Sequence, residues 1–223
     1  MTQDTEESVV DHTINALRAG IRDHSFAPGQ RLIVADITRR LGVSAGPVRE
    51  AIRRLNGEGL IDIQPNRGAV VRRFDAADIA EIFSVREAVE ARAAELAALN
   101  IDQGDNRRKL DEIMAEAPDA EAEGGPRYID HNARFHALIY EMAGNNKLRE
   151  VAEGLTLPIY RMQFHQLMVR RSATTSARDH DRIVDAIRRG DGPAAFQAMR
   201  DHVRRSGLGM QEAVATKLNR LKP

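Results

Sequence analysis

Cysteine is absent from this chain of 223 residues, so disulfide bonds and thiolate metal sites are excluded. This absence fits a reducing cytoplasm, where disulfides are rare. A long apolar run is also missing, and no stretch of the sequence is apolar for long enough to span a bilayer. The N-terminal segment MTQDTEESVV is acidic and lacks the apolar core of a signal peptide. We therefore expect a cytoplasmic protein that has no membrane partner.

The chain also lacks a net charge, because its 33 basic side chains (Lys and Arg) are balanced by 33 acidic ones. The balance does not hold locally. Between Arg31 and Arg73 there are nine arginines and four acidic residues, which give this segment a net charge of +5. A local concentration of positive charge is what DNA binding requires electrostatically.

The sequence LGVSAGPVREAIRRLNGEGL, at positions 41–60, predicts a turn followed by a short helix. Gly42 suits a sharp turn, and Ser44 suits the N-cap of the helix. Pro47 falls in the first turn of the helix, where its missing N–H costs little. An apolar stripe at helical spacing is formed by Val48, Ala51, Ile52 and Leu55. We expect the helix to stop at the glycines of NGEG.

Another face of this helix carries Arg49 and Arg53, which lie four residues apart. A helix held from behind by apolar side chains and presenting arginines in front suits the major groove of DNA. The segment Val34–Leu41 predicts a preceding short helix, so the pair forms a helix–turn–helix. The alternative is a small helical subdomain whose arginines are only solvated.

The residues after Leu60 predict a β-hairpin. Ile61 and Ile63 alternate with polar residues, and Val71 lies opposite them across a Pro-Asn-Arg-Gly turn at positions 65–68. A helix–turn–helix followed by a hairpin is a winged helix–turn–helix, with an arginine at the tip of the wing.

The segments PGQRL (28–32), GVSAGPVREAIRRLNGEGL (42–60) and PNRGAVV (65–71) resemble, in order and spacing, the N-terminal domain of GntR-family bacterial transcription regulators. The resemblance implies that Ser44 and Arg49 contact DNA and that Arg67 and Gly68 reach toward the minor groove. Family members often carry arginine and threonine at positions 45 and 46, where this chain has alanine and glycine. Two side chains that could read bases are therefore absent.

A chain of 223 residues suits two modest domains, and no strand pattern follows residue 73. The sequence therefore predicts two domains, over residues 1–73 and 74–223. Asp75 and Asp78 favour a helix start at the beginning of the second domain. That helix is expected over Ala76–Asn100, with a core side formed by Ile79, Ile82, Phe83, Val89 and Leu96. Other predicted helices cover about 6–25, 103–117, 127–143, 147–170 with a kink at Pro158, 176–190 and 191–215. Loops are predicted at 118–126 and 172–176, and Ser176 with Asp179 resembles a capping box.

The predicted fold class is mainly α. It consists of the winged helix–turn–helix with its short β-hairpin, followed by an all-α antiparallel bundle of six helices.

Three of the seven histidines, His136, His180 and His202, fall on the inward faces of three predicted helices. Neutral imidazoles that converge in a bundle can bind Zn²⁺, Ni²⁺ or a similar divalent ion. The alternative is that each is a satisfied core histidine, because the spacing is too long for a local metal motif. We expect His131 and His165 to point elsewhere. The acidic neighbours Asp130, Asp179 and Asp181 are expected to point sideways or outward.

The motifs NARFHALIYEMAGN (132–145), DHDRIVDAI (179–187) and MRDHV (199–203) resemble the FCD effector-binding domain of the FadR subfamily. In that domain an Asp or Asn and three histidines form a metal site. The resemblance implies that Asn132, His136, His180 and His202 hold a divalent ion, with Zn or Ni as the expected metals. Many members have aspartate where this chain has Asn132, whose amide oxygen is a weaker and uncharged ligand.

Arg86 lies on the inward face of the first long helix of the second domain. A buried arginine is costly unless it is paired, and Glu90, four residues on, is an internal partner. The alternative is that Arg86 binds the carboxylate of a ligand, because a guanidinium matches a carboxylate in two-point geometry. The resemblance of SVREAVEARAAELAA to the opening helix of the FCD family implies this second role.

These observations predict a transcription regulator, and more narrowly a repressor, that binds a pseudo-palindromic double-stranded DNA operator as a homodimer. A small organic acid bound at the metal site would control operator affinity. One alternative is a DNA-binding dimer without ligand or metal. Another is a metal-dependent enzyme fused to a DNA-binding domain, but it would need an inward carboxylate beside the histidines, and the sequence pattern shows none. We therefore expect no enzymatic activity.

Overall fold

The computed structural model of the chain describes residues 8–23, 25–118, 126–155 and 171–220. They fall into two compact units, the first ending at Arg73 and the second beginning at Phe74. Helices dominate both units, and a single two-stranded antiparallel sheet is present in the described ranges. None of the helices in these ranges is long and apolar enough to cross a membrane. The predicted fold class is confirmed.

The first unit contains three helices and a hairpin. They are α1 (Val9–Arg22), α2 (Val34–Leu41), α3 (Ala45–Gly57), β1 (Ile61–Gln64) and β2 (Gly68–Val71). Helix α1 is shorter at both ends than the predicted 6–25. It begins after Ser8, whose hydroxyl oxygen accepts a hydrogen bond from the backbone N–H of Asp11 at 3.1 Å.

The turn between α2 and α3 has the predicted geometry. Gly42 adopts φ 68°, in the left-handed region that favours glycine. Ser44 occupies the N-cap of α3 with an extended backbone, but its side chain makes no capping hydrogen bond. The predicted apolar stripe is buried and consists of Val48, Ala51, Ile52 and Leu55. These side chains fix the orientation of α3, so its opposite face is left for other contacts.

The hairpin has the predicted register, with Ile61 opposite Val71. Ile63, on the same strand as Ile61, is 55% exposed. A further segment pairs with the hairpin, which the alternation of apolar and polar residues did not predict. Arg31 forms a bridge with Val70, and the N–H of Leu32 donates to the carbonyl of Ala69 at 2.8 Å. The segment before α2 therefore ties the wing to the helix–turn–helix.

The second unit has six described helices, which is the predicted number. They are α4 (Ala76–Leu99), α5 (Asn106–Ala115), α6 (Pro126–Met142), α7 (Asn146–Leu155), α8 (Arg171–Arg188) and α9 (Gly192–Arg220). Helix α4 lies at the centre, because it packs against α6, α7, α8 and α9. Side chains from several helices therefore meet along its surface.

Asp75 is the predicted N-cap of α4, and the structure adds a capping box with Asp78. Asp75 accepts from the backbone N–H groups of Ala77 and Asp78, and the Asp78 carboxylate accepts from the backbone N–H of Asp75. The core side of α4 differs from the prediction. Ile79 and Phe83 are buried, whereas three apolar residues expected beside them are only partly buried: Ile82, Val89 and Leu96. The buried face instead continues through Glu90, Ala91, Ala93, Ala94, Ala97 and Ala98. Small side chains let neighbouring helices approach α4 closely.

Other helix boundaries correct the sequence interpretation. Helix α5 is shorter than 103–117, and α9 continues past 215 to Arg220. The loop predicted at 172–176 is wrong, because α8 already begins at Arg171. Ser176 is therefore inside a helix and does not cap one. The acidic loop predicted at 118–126 falls largely outside the described residues, and the kink at Pro158 falls entirely outside them.

A close approach between α9 and α4 gives a testable stability prediction. A Cβ on Gly207 would lie 2.8 Å from Cβ and Cγ of Phe83, which is itself buried. Because the first atoms of a buried side chain cannot move away easily, we expect Gly207→Ala to lower the free energy of unfolding by about 1–3 kcal/mol. Urea unfolding followed by circular dichroism measures this change.

Gly209 on the same helix is the matched control, because a Cβ there has nothing within 4 Å. Gly209→Ala should stabilise the protein by up to about 1 kcal/mol through helix propensity. Equal effects of the two substitutions would show that the contact with Phe83 does not limit packing.

Candidate nucleic-acid interface and metal centre

The exposed face of α3 carries the side chains predicted to contact DNA. Ser44, Arg49 and Arg53 are all exposed. Arg53 pairs with Glu50 on the same helix at 3.1 Å. Arg49 has no hydrogen bond or ion pair with any other described residue. Its guanidinium group is therefore available to an external acceptor.

The wing tip lies beside this face. Arg67 and Gly68 are exposed in the hairpin turn, where Gly68 has φ 74° and Asn66 has φ 62°. A groove of about 430 Å³ runs between α3 and the wing, and Arg49 and Arg53 are among the residues that line it.

Arg31 is a third arginine that lines the same groove, and it is exposed. Sequence reasoning did not single it out as a site residue. It belongs to the PGQRL segment, but only the pairing of that segment with the wing shows that it faces the groove. The groove therefore brings together three arginines from two separate parts of the first unit, α3 and the segment before α2.

The three inward histidines of the second unit come together. His136 on α6, His180 on α8 and His202 on α9 are buried, and one nitrogen from each ring lies within 4.8 Å of the others. The ring centroids of His180 and His202 are 4.7 Å apart, and those of His136 and His202 are 5.3 Å apart. One ion could contact all three rings.

The protonation states in this cluster favour metal binding. Burial lowers the pKa of His180 well below its ordinary value, and the nearby His202 and His136 rings lower it further. Burial also lowers the pKa of His202, against the opposing effect of Asp179. Neutral imidazoles are the form that binds a metal ion. Moreover, Nε2 of His180 is buried and has no hydrogen-bond partner among the described residues. The donor set therefore fits a divalent cation.

Two buried carboxylates lie beside the cluster, and they correct the sequence interpretation, which placed none there. Oε2 of Glu90 is 2.7 Å from Nδ1 of His136, and Oδ2 of Asp179 is 3.6 Å from Nδ1 of His202. Asp179 was expected to point sideways or outward, but it is buried. Asp130 and Asp181 are exposed, as predicted.

Both carboxylates are paired with arginines. The Nε–H of Arg86 donates to Glu90 at 2.6 Å, and Arg205 donates two hydrogen bonds to Asp179 at 3.0 and 2.7 Å. Burial alone raises the pKa of Glu90, but Arg86 and His136 together hold it well below its usual value. Hydrogen bonds and charges from His202 and Arg205 likewise outweigh burial and lower the pKa of Asp179. Both groups are therefore anionic near neutral pH.

The remaining predicted site residues lie near the cluster. Asn132 is half-buried on α6, four residues before His136, and its part in metal binding stays a prediction. Arg86 is 11% exposed, and its guanidinium carbon lies 4.6 Å from the centre of the Phe83 ring. The internal salt bridge with Glu90 is thus present, while the role of Arg86 toward a ligand stays a prediction. His131 is buried elsewhere, with Nε2 2.8 Å from the carbonyl of Ile113. His165 lies outside the described residues.

Comparison with known proteins identifies both units. Residues 10–71 match the model of the bacterial regulatory proteins of the gntR family, and residues 81–205 match the FCD domain. The HTH-type transcriptional repressor RspR of Escherichia coli (strain K12) is 27% identical over 187 residues, which span 84% of this chain and 82% of that protein. A protein of Paenarthrobacter nicotinovorans named "Probable D-xylose utilization operon transcriptional repressor" is 32% identical over 174 residues, 75% of this chain and 74% of its own length.

A solved structure has the same fold. E. coli McbR/YncC aligns with a TM-score of 0.69 at 21% sequence identity, over 92% of this chain and 98% of that one. The matched families and relatives are regulators of transcription and not enzymes. The chain therefore belongs to the GntR family and is a DNA-binding transcriptional regulator with an FCD domain.

Proposed function

We propose that this regulator is a repressor whose affinity for its operator is controlled by a small organic acid bound at a metal site in the second unit. The observation that carries the proposal is the meeting of three buried imidazoles from three different helices, with nitrogens within 4.8 Å of one another. Relatives that are named repressors support the sign of regulation.

In this proposal residues 1–73 are the DNA-binding domain and residues 74–223 are the effector-binding and dimerisation domain. Arg49 and Arg53 would read the major groove, with Ser44 at the start of α3. The wing tip, Arg67 and Gly68, would reach toward the minor groove. A single reading helix covers only one half-site, so a pseudo-palindromic operator calls for a two-fold homodimer.

His136, His180 and His202 would hold the ion, with the amide oxygen of Asn132 as a further, uncharged ligand. A mostly imidazole donor set favours Zn²⁺ or Ni²⁺ over Mg²⁺ or Ca²⁺. The bound ion would supply a Lewis-acid binding point for the carboxylate and an adjacent hydroxyl or keto oxygen of the acid.

Arg86 is the second proposed contact for the acid. Its guanidinium is held by Glu90 on the same helix, at the edge of the histidine cluster. A ligand carboxylate would compete with Glu90 for this arginine, so binding would exchange one charged partner of Arg86 for another. Because α4 packs against four other helices, a change at Arg86 can bias the arrangement of the whole bundle.

Operator binding in the presence of small acids tests this function. An operator is first selected from random duplex DNA, and its affinity is measured by fluorescence anisotropy with metal-loaded and chelator-treated protein. We expect one class of small hydroxy, keto or simple carboxylic acid to weaken binding about 5–150-fold, as is typical of allosteric coupling, and only when metal is present. Arg86→Ala should abolish the response.

Arg92→Ala is the matched control, because Arg92 lies on the same helix but is exposed and pairs with Glu95. This variant should respond to the acid as the wild type does. If neither chelation nor any acid changes operator affinity, the protein is a DNA-binding dimer without ligand or metal, and the proposal is wrong.

A further inference from the structure

Two of the three clustered histidines stand at the end of a chain that runs from an arginine through a carboxylate to an imidazole. One chain consists of Arg86, Glu90 and His136. The other consists of Arg205, Asp179 and His202. In both chains the nitrogen nearest the carboxylate is Nδ1. The same chemical order therefore occurs twice around one cluster, built from different helices.

The atoms of the first chain are well placed for a hydrogen bond between carboxylate and ring. Oε2 of Glu90 and Nδ1 of His136 are 2.7 Å apart, both are buried, and neither has a hydrogen bond of good geometry to another described residue. A small rotation of the ring would let the Nδ1–H donate to Oε2. Leaving both atoms unsatisfied would cost free energy, so each is the natural partner of the other.

In the second chain the carboxylate lies farther from the ring than in the first, but the arginine holds the carboxylate with two hydrogen bonds. Nδ1 of His202 is buried without a hydrogen bond of good geometry and lies 3.6 Å from Oδ2 of Asp179. Arg205 binds that carboxylate through two nitrogens, which fixes its plane. Asp179 immediately precedes His180 in the sequence. One turn of α8 therefore carries both the carboxylate that faces His202 and the ring of His180.

His180 has no carboxylate partner of this kind among the described residues. Its ring instead stacks on that of Phe135, with centroids 4.1 Å apart and an interplanar angle of 24°. A stacked ring is held in its plane without a hydrogen bond. The three imidazoles are thus held in two different ways.

We propose that Glu90 and Asp179 are positioning residues that hold His136 and His202 in the Nδ1–H tautomer, leaving Nε2 of each ring to bind the ion. A ligating histidine generally donates its other N–H to a carboxylate or carbonyl, which orients the ring and raises its basicity. The inference rests on the proposed metal centre, and it adds two positioning residues, Glu90 and Asp179, to it. The competing role is structural, with each carboxylate serving only to neutralise its arginine.

Cobalt titration separates the two roles, because Co²⁺ bound to imidazoles has a visible absorption spectrum that reports ligand arrangement. The apparent Co²⁺ dissociation constant is measured for the wild type, Glu90→Gln and Asp179→Asn, each checked for folding by circular dichroism. We expect each amide variant to bind Co²⁺ about 10–100-fold more weakly and with an altered spectrum.

The matched controls remove carboxylates that do not touch the histidines. Glu87→Gln acts on α4, where Glu87 faces Arg204 at 3.5 Å, and Asp185→Asn acts on an exposed residue of α8. Both should leave the dissociation constant and the spectrum unchanged.

Nuclear magnetic resonance of the wild type supplies a test that needs no variant. In the metal-free protein, ¹H–¹⁵N spectra of the imidazoles should show His136 and His202 protonated at Nδ1. Wild-type binding of Co²⁺ together with unaffected amide variants, or an Nε2–H tautomer at both rings, would overturn the positioning role while leaving the metal centre intact. A wild type that binds no Co²⁺ would instead overturn the proposed function and this inference with it.

Discussion

Replacing Arg49 by alanine should weaken operator binding at least about 30-fold. Arg49 is exposed on α3 and has no partner among the described residues, so its guanidinium can bind a guanine edge or a phosphate directly. Loss of one arginine contact to a base costs about 1–3 kcal/mol. In a homodimer the loss occurs in both half-sites and totals about 2–6 kcal/mol, or at least about 30-fold in affinity. Fluorescence anisotropy on the selected operator measures the change.

Arg54→Ala is the control for this experiment. Arg54 lies on the same helix and is also exposed, but it pairs with Glu50 at 3.2 Å and with Asp11 of α1 at 3.5 Å. It therefore points toward α1, and we expect its removal to leave operator affinity within about twofold of the wild type, as a surface substitution away from the interface should. Equal losses for the two variants would mean that α3 contributes only general positive charge, and the assignment of its reading face would be withdrawn.

The features of the fold that sequence predicted best depend on residues within four positions of one another. Gly42 ends α2 three residues before α3 begins, and Asp75 caps α4 together with Asp78, three residues on. Such features are local, because the same short segment contains both the cause and the structure.

The failed prediction at Ser176 and Asp179 shows how a distant partner overrides a local signal. Their spacing resembles a capping box, yet the Asp179 carboxylate is occupied by Arg205, 26 residues away in the chain. A carboxylate held in that way cannot also cap a helix start. Nothing in the local sequence of α8 indicates which of the two roles wins.

The burial of Glu90 was missed for a related reason. Helical periodicity assigns apolar residues to the core, so Val89 and Leu96 were expected there, and Glu90 was considered only as a partner of Arg86. In the structure alanines let the neighbouring helices approach, and Glu90 meets His136 of α6. The inward direction of the three histidines follows from periodicity. The carboxylates that accompany them follow only from how the helices pack.

Removing any one of the three clustered histidines should cost the protein its metal. Purified without chelator, the wild type should contain about one divalent ion per chain by elemental analysis. His136→Ala, His180→Ala and His202→Ala should each lower metal affinity by more than the 10–100-fold that loss of an outer partner costs. The reason is that the three nitrogens lie within 4.8 Å of one another, so each alanine variant removes one of the ligand atoms that could hold a single ion.

His131→Gln is the control for these variants, since His131 is buried on the same helix as His136. Its Nε2 lies 2.8 Å from the carbonyl of Ile113, which can only accept, so the ring must donate, and a glutamine N–H can replace that donor. This variant should keep its metal. Metal loss in His131→Gln equal to that in the three variants would place the ion elsewhere.

Removing the ion with a chelator should also lower the stability of the folded protein. An ion present at about 100 times its dissociation constant stabilises the folded state by about 2.7 kcal/mol. For a protein of this size that corresponds to a melting temperature about 5–10 °C higher with metal than without. The three alanine variants should melt at the same temperature with and without chelator, because they have no ion to lose. A wild type that is metal-free as purified and melts identically in chelator would show that the buried imidazoles form an ordinary core cluster, with Nε2 of His180 left unsatisfied.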